Sequence, residues 1–146
     1  MEEPILRTSG RVVRVFRLYP HLAGLLFLGL GMLTLVRPEI LGYYSIGLEN
    51  NQARIAIRAM IGGGELALGL VIAAGQRIGI SVKQRSLIAA CVFLCVGLAR
   101  LSAIWMEGGL GFAQQPHREA VIELTLGSLG VVAAMVVDGK YALSRS

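Results

Sequence analysis

Residues 87–106 read LIAACVFLCVGLARLSAIWM, twenty consecutive positions with a single charge, Arg100. As a helix rising about 1.5 Å per residue, this stretch is about 30 Å long, the thickness of a bilayer's hydrocarbon core. It lacks the strict alternation that a membrane β-strand requires. In lipid the backbone groups must pair within the segment, which leaves the helix as the solution. Three more stretches have the same character, residues 18–36, 55–74 and 120–137. The fold class is therefore all-α, a four-transmembrane-helix bundle, read as one membrane domain over residues 1–146.

Composition agrees. Of 146 residues 55% are apolar, and the 19 glycines bring the non-polar share to about two-thirds. Only 16% are charged, against about 25% in ordinary soluble domains. Such a chain cannot cover a small soluble domain with polar surface. Disorder is excluded by the same figures, and two cysteines exclude a disulfide scaffold.

The ends of the spans are legible. Arg37-Pro38 stops the first, because proline disfavours helical geometry in the residue before it. Asn50-Asn51 offers an N-cap to the second, and Gly75 a C-cap. Pro116, after Gln114-Gln115, suits the first turn of the fourth. Nine basic residues fall on one side: Arg7, Arg11, Arg14, Arg17, Arg77, Lys83, Arg85, Lys140 and Arg145. The other side has three, Arg37, Arg54 and Arg118. The positive-inside rule then predicts both termini in the cytoplasm. Tyr19 and Tyr141 on one side, and Tyr43, Tyr44 and Trp105 on the other, suit interfacial belts.

Upstream of the first span no small-residue cleavage site follows the apolar run, so this run is a helix rather than a signal peptide. Arg7, Arg11, Arg14 and Arg17 form one stripe of a short amphipathic N-terminal helix, with Val12, Val15, Phe16 and Tyr19 on another. That basic face suits anionic lipids at the cytoplasmic surface. The net charge of +5 is accounted for by topology, and no nucleic-acid partner is expected. Residues 39–49 mix apolar side chains with glycine, as a short interfacial helix or re-entrant cover would.

A weak internal repeat runs through the spans. Glu65-Leu66-Ala67-Leu68-Gly69 returns as Glu123-Leu124-Thr125-Leu126-Gly127, and Phe27-Leu28 with Gly31 returns as Phe93-Leu94 with Gly97. Either a helical hairpin has been duplicated or Leu/Gly-rich helices agree by chance. A true duplication relates two hairpins of the same orientation by an axis along the membrane normal.

Four charges lie inside the spans: Arg58, Glu65, Arg100 and Glu123. Ionised groups in hydrocarbon face a bundle interior or a watery cavity and are usually paired. Counted from the outer ends, their depths are roughly 5, 15, 9 and 5 Å. Arg100 lies between the two glutamates in depth, and its fork suits two carboxylates. Arg58, Gly62, Glu65 and Gly69 share one face of the second span, and Glu123, Gly127, Gly130 and Ala134 one face of the fourth. Ala90, Phe93, Gly97 and Arg100 do the same on the third. Two readings stand: a structural polar clasp, or an outer-side pocket that binds a polar headgroup or relays protons.

Other signals are weaker. Gly62-x-Gly64-x-x-Ala67 imitates a dinucleotide fingerprint but follows no strand, so close helix packing explains Gly62-Gly63-Gly64 better. Cys91 and Cys95 are spaced for apolar packing rather than as a redox pair. His21 and His117 have no partners at ligand spacing, so neither metal nor cofactor is expected. His117-Arg118-Glu119 stands at the mouth of the fourth span, where it would cap the polar cluster.

On Arg37-Pro38-Glu39, Arg58 with Gly62-Gly63-Gly64-Glu65, Arg100, and Pro116 followed by Glu123-Leu124, the chain resembles a family of small bacterial four-helix membrane proteins of unknown function. That family is distantly similar to the DoxX-like group. The resemblance covers roughly residues 20–137 and implies a four-helix protein of the bacterial inner membrane, with no established activity. Some DoxX-like relatives are quinone-linked subunits, but no residue here carries that role over. The leading expectation is a non-enzymatic binder of a lipid- or quinone-like ligand, or an accessory subunit of a membrane complex or homo-oligomer. The alternatives are a membrane enzyme using Glu65 and Glu123 as paired carboxylates, isomerase-like, and a proton-coupled transporter.

Overall fold

The computed structural model describes residues 12–44, 48, 50–107 and 115–143, with side chains placed through residue 137 except that of residue 44. Helix α1 covers residues 12–16 and is joined by a turn at Arg17-Leu18 to α2, Tyr19–Val36. A 3₁₀ segment, Pro38–Tyr44, follows. The next helical run comprises α3, Asn51–Ile57, a π turn at Arg58–Gly62, α4, Gly63–Ala74, and a 3₁₀ turn at Gly75–Ile78. The last two helices are α5, Val82–Met106, and α6, Gln115–Leu143. Among the described residues there is no strand.

Among the described residues four helical runs are long and apolar enough to cross a membrane: Val12–Val36, Asn51–Ile78, Val82–Met106 and Gln115–Val137. They carry many large apolar side chains outward, among them Leu22, Leu25, Leu70, Leu98, Val121 and Met135. An outer surface of this kind is soluble in lipid rather than in water. The chain is a membrane protein with the four helices that a transmembrane bundle needs.

Each run extends past its expected limits, for local reasons. Asn50 caps α3, its Oδ1 accepting from the Ala53 N–H at 2.8 Å. Gly75 caps α4 as expected, its N–H bonded to the Val71 carbonyl, but with φ −56 it lets a 3₁₀ turn continue the run. The stop falls at Gly79, whose φ of 86 lies in the left-handed region that glycine enters freely. Ser81 and Gln84 form a capping box that starts α5 at Val82, so Arg85 lies inside the helix and not in a loop. Arg85 is fully buried there. Proline enters α2 as well, at Pro20 in its first turn, where its missing N–H is tolerated.

The described chain forms two compact units, residues 21–79 and residues 80–146 together with 1–20. Each contains one helical hairpin, α2 with α4 in the first and α5 with α6 in the second. Within each hairpin two glycines admit two leucines from the opposite helix. A Cβ on Gly69 would lie 2.7 Å from the Leu28 nitrogen, and one on Gly31 would lie 2.7 Å from the Leu66 nitrogen. In the second hairpin a Cβ on Gly127 would lie 2.6 Å from Leu94 Cγ, and one on Gly97 would lie 2.9 Å from Leu124 Cγ. Leu28 corresponds to Leu94, Leu66 to Leu124, Gly31 to Gly97 and Gly69 to Gly127 in the sequence repeat. The two hairpins are built around the same pair of reciprocal glycine–leucine contacts, which lets the backbones approach without a hydrophobic force between them.

Close packing accounts for Gly62 but not for its neighbours. A Cβ on Gly62 would meet Leu35 Cγ at 3.0 Å, whereas Gly64 has nothing within 4 Å and Gly63 only the Arg58 carbonyl at 3.8 Å. Cys91 and Cys95 are free and exposed on α5, so they do not pack inside the chain. Tyr43 and Trp105 are exposed as belt residues would be. Tyr19 is not: its hydroxyl donates to the Leu126 carbonyl at 2.8 Å.

Candidate functional site

The second hairpin contains a formed ion cluster. Arg100 on α5 sits one turn after Gly97, and Gly97 lies under Glu123, whose Cβ would be 3.3 Å from an added Cβ. The small residue brings α6 close enough for the guanidinium to reach its carboxylates. Arg100 Nε donates to Glu123 Oε2 at 3.0 Å and Nη2 to Glu123 Oε1 at 2.7 Å, a two-point grip. Its remaining arm, Nη1, lies 2.9 Å from Glu119 Oε2. Glu119 also accepts from Gln115 Nε2 at 3.1 Å, one turn earlier on α6. All three charged side chains are largely withdrawn, with 16–25% of their surface exposed. Glu119, read from the sequence as a cap at the mouth of α6, is here the second carboxylate on Arg100. Its spacing of four from Glu123 placed both on one helix face, which is the signal that identifies it.

The first hairpin holds the corresponding position with a different partner. Thr34 occupies in α2 the place that Arg100 occupies in α5, and Glu65 in α4 that of Glu123 in α6. The Thr34 side chain is buried at 5% exposure and is hydrogen-bonded to Glu65. The other carboxylate oxygen, Glu65 Oε2, is buried without a hydrogen-bond partner. One hairpin therefore neutralises its glutamate with a cation, while the other offers its glutamate a hydroxyl.

Arg58 lies on the π turn, where the Gly63 N–H bonds the Arg58 carbonyl. Its Nε is buried without a hydrogen-bond partner. The extra residue of a π turn rotates what precedes it by up to about 100° relative to an unbroken helix. Turns of this kind recur at functional positions.

Of the four charges singled out in the sequence, Arg58 and Glu65 belong to the first hairpin, and Arg100 and Glu123 to the second, where they are paired. Of the basic N-terminal face, Arg14 and Arg17 are exposed, while Arg7 and Arg11 lie outside the described residues. Val13, at 6% exposure, is the buried side chain of α1, whereas Val12 and Val15 point outward. The inward stripe of α1 is thus offset from the one the sequence suggested.

No curated protein and no solved structure matches the chain. A family model, described as a domain of unknown function (DUF4345), matches residues 15–134. That match spans α2 through most of α6 and includes both hairpins with their glutamates. The chain belongs to the DUF4345 family.

Proposed function

We propose that this is a non-enzymatic membrane protein that binds a lipid- or quinone-like molecule, alone or as an accessory subunit of a membrane complex, and that Glu65 is its ligand-facing polar group. The observation that carries this reading is the unpartnered, buried Oε2 of Glu65. A polar atom withdrawn from water without a partner is expensive, and in native proteins such atoms concentrate at sites that acquire one. The Thr34 hydroxyl on the carboxyl group fixes its orientation, and the buried Nε of Arg58 supplies a donor on the same helical run. Glu123 differs, since both its oxygens are committed to Arg100. This division supports binding over paired-carboxylate catalysis, which needs two available carboxyl groups.

In this reading the four charges divide their roles. Arg100 with Glu119 and Glu123 is the clasp, and Glu65 with Thr34 and Arg58 is the pocket wall, opening toward the outer half of the bilayer. The protein resides in a bacterial inner membrane with both termini in the cytoplasm, and its basic N-terminal face rests on anionic lipid.

Native mass spectrometry of the protein purified in mild detergent tests the binding role. The parent should carry a co-purifying apolar molecule with a polar head, and Glu65→Gln should lose it while Glu119→Gln keeps it. Equal retention by both variants would remove Glu65 from the site.

A further inference from the structure

The loop end of the first hairpin carries a second candidate site, independent of the reading given above. Gly24 and Ala73 bring α2 and α4 into backbone contact there, since a Cβ on Gly24 would lie 2.6 Å from the Ala73 nitrogen. Immediately outward of that contact is an open recess of about 550 Å³ lined by His21, Ala73, Ala74, Gln76 and Arg77. Its walls are fixed by the chain. The 3₁₀ turn Gly75–Ile78 carries Gln76 and Arg77, and Gly79 closes it with φ 86 and its N–H bonded to the Gln76 carbonyl at 3.3 Å. The alanine methyls leave the floor wide.

The rim is one of donors: an imidazole, a carboxamide and a guanidinium. Among the described residues no carboxylate lines it. Glu65 is nine residues before Ala74 on the same helical run, roughly 14 Å away along the axis, and Glu39 lies beyond the far end of α2. Below the rim the surface becomes apolar. Leu70 is on the face of α4 that carries Ala73, Ala74 and Arg77, and it is 58% exposed. Leu25, one turn after His21, is 60% exposed. A cationic fork above outward-facing leucines at the end of a transmembrane hairpin has the chemistry of a phosphate oxyanion carried on acyl chains.

We propose that the His21–Arg77 recess binds the phosphate of an anionic lipid headgroup. Arg77 grips the oxyanion, His21 and Gln76 donate to it from the sides, and Leu25 and Leu70 receive the chains.

The test uses the full chain in detergent micelles doped with dioleoylphosphatidylglycerol or dioleoylphosphatidylcholine, read by native mass spectrometry and by melting midpoint. A parallel arm adds inorganic phosphate against chloride at equal ionic strength. The parent should retain the anionic lipid in preference to the zwitterionic one. Arg77→Gln should reduce that preference about tenfold, the loss expected for one charge-assisted hydrogen bond. His21→Gln/Arg77→Gln should abolish it. Arg54→Gln, at an exposed arginine of α3 outside the recess, should leave it unchanged. Stabilisation by inorganic phosphate that disappears in Arg77→Gln identifies the free anion as a second source of the same group; an arm without effect assigns the site to lipid alone. Both mutated side chains are at the surface of the loop end, and Arg77→Lys, which keeps charge but loses the fork, is the reserve should the double variant fail to fold. An unchanged lipid preference in Arg77→Gln, or an equal loss in Arg54→Gln, overturns the proposal in favour of diffuse attraction.

Discussion

Arg100 holds Glu123 by two nearly parallel hydrogen bonds of 3.0 and 2.7 Å, and the same guanidinium turns its third nitrogen to Glu119. Removing the cation leaves two carboxylates side by side in a hydrocarbon-bounded hairpin. Arg100→Leu should therefore destabilise the protein by about 3–5 kcal/mol, the cost of an uncompensated buried charge. Adding Glu119→Gln and Glu123→Gln to that variant should restore most of the loss, because a buried ion cluster is rarely better than neutral packing. Equilibrium unfolding in detergent measures both steps. Parent-like stability in Arg100→Leu would mean that the cluster contributes nothing.

The two carboxylates should not be equivalent. Glu123 receives two hydrogen bonds from Arg100, Glu119 only an ion-pair contact with Nη1 at 2.9 Å, and one positive charge faces two negative ones. Glu119→Gln removes the excess negative charge while leaving the two-point grip in place, and should cost less than about 1 kcal/mol. Glu123→Gln breaks the grip and should cost about 2 kcal/mol or more. Unfolding midpoints of the two variants at neutral pH decide the order, and a reversed order would contradict the geometry.

Glycines along the second helical run give a sharper contrast. Gly69→Ala drives a methyl to 2.7 Å from the Leu28 backbone, an approach that no rotamer relieves. Gly64→Ala meets nothing within 4 Å. The first substitution should destabilise the hairpin by about 1–3 kcal/mol as overpacking does. The second should stabilise it by up to about 1 kcal/mol through helix propensity. Thermal unfolding of the pair, side by side, checks the sign of each.

Much of this was readable in the chain. The spans follow from apolar length, and the hairpin repeat follows from Phe27-Leu28/Phe93-Leu94 and from Glu65/Glu123. What pairing gives those residues is a matter of three-dimensional approach: Leu28 touches Gly69 only because both helices lack bulk at that level. The π turn at Arg58–Gly62 was hidden, since a single extra residue in a helical ladder leaves no periodic trace in a glycine-rich stretch. The start of α5 at Val82, which puts Arg85 inside the helix, is set by the Ser81–Gln84 capping box, and the residues just ahead of the apolar run, Lys83 to Ser86, are all polar or charged. The Arg100–Glu123 pair was legible in depth and sign, whereas Glu119 was obscured by its neighbours His117 and Arg118, which mark a helix mouth.

The nine-to-three distribution of lysine and arginine predicts the orientation. Reporter fusions after Ser146 and within residues 108–114 should report cytoplasm and exterior respectively. The reverse pattern would invert the protein and place the Glu65 level nearer the cytoplasmic leaflet.

The correspondence of Thr34 with Arg100 gives the most direct test of how the two hairpins divide their work. Both residues stand one turn after a glycine, Gly31 and Gly97, that accommodates a leucine of the opposite helix, and both face a glutamate that begins a Glu-Leu-x-Leu-Gly segment. Thr34→Arg would give the first hairpin the cation that the second already has. The arginine would satisfy the orphan Oε2 of Glu65, so the variant should unfold at higher temperature than the parent, by the few degrees that about 1–2 kcal/mol represents in a domain of this size. If Glu65 serves only the fold, nothing else should change. If Glu65 is the ligand-facing group, the same variant should lose its co-purifying molecule while becoming more stable, because the carboxylate no longer has a free oxygen to offer. Melting midpoint and native mass spectrometry on one preparation separate the two. A stabilised protein that keeps its bound molecule would make Glu65 structural, and a destabilised one would show that the two hairpins are not interchangeable at this position.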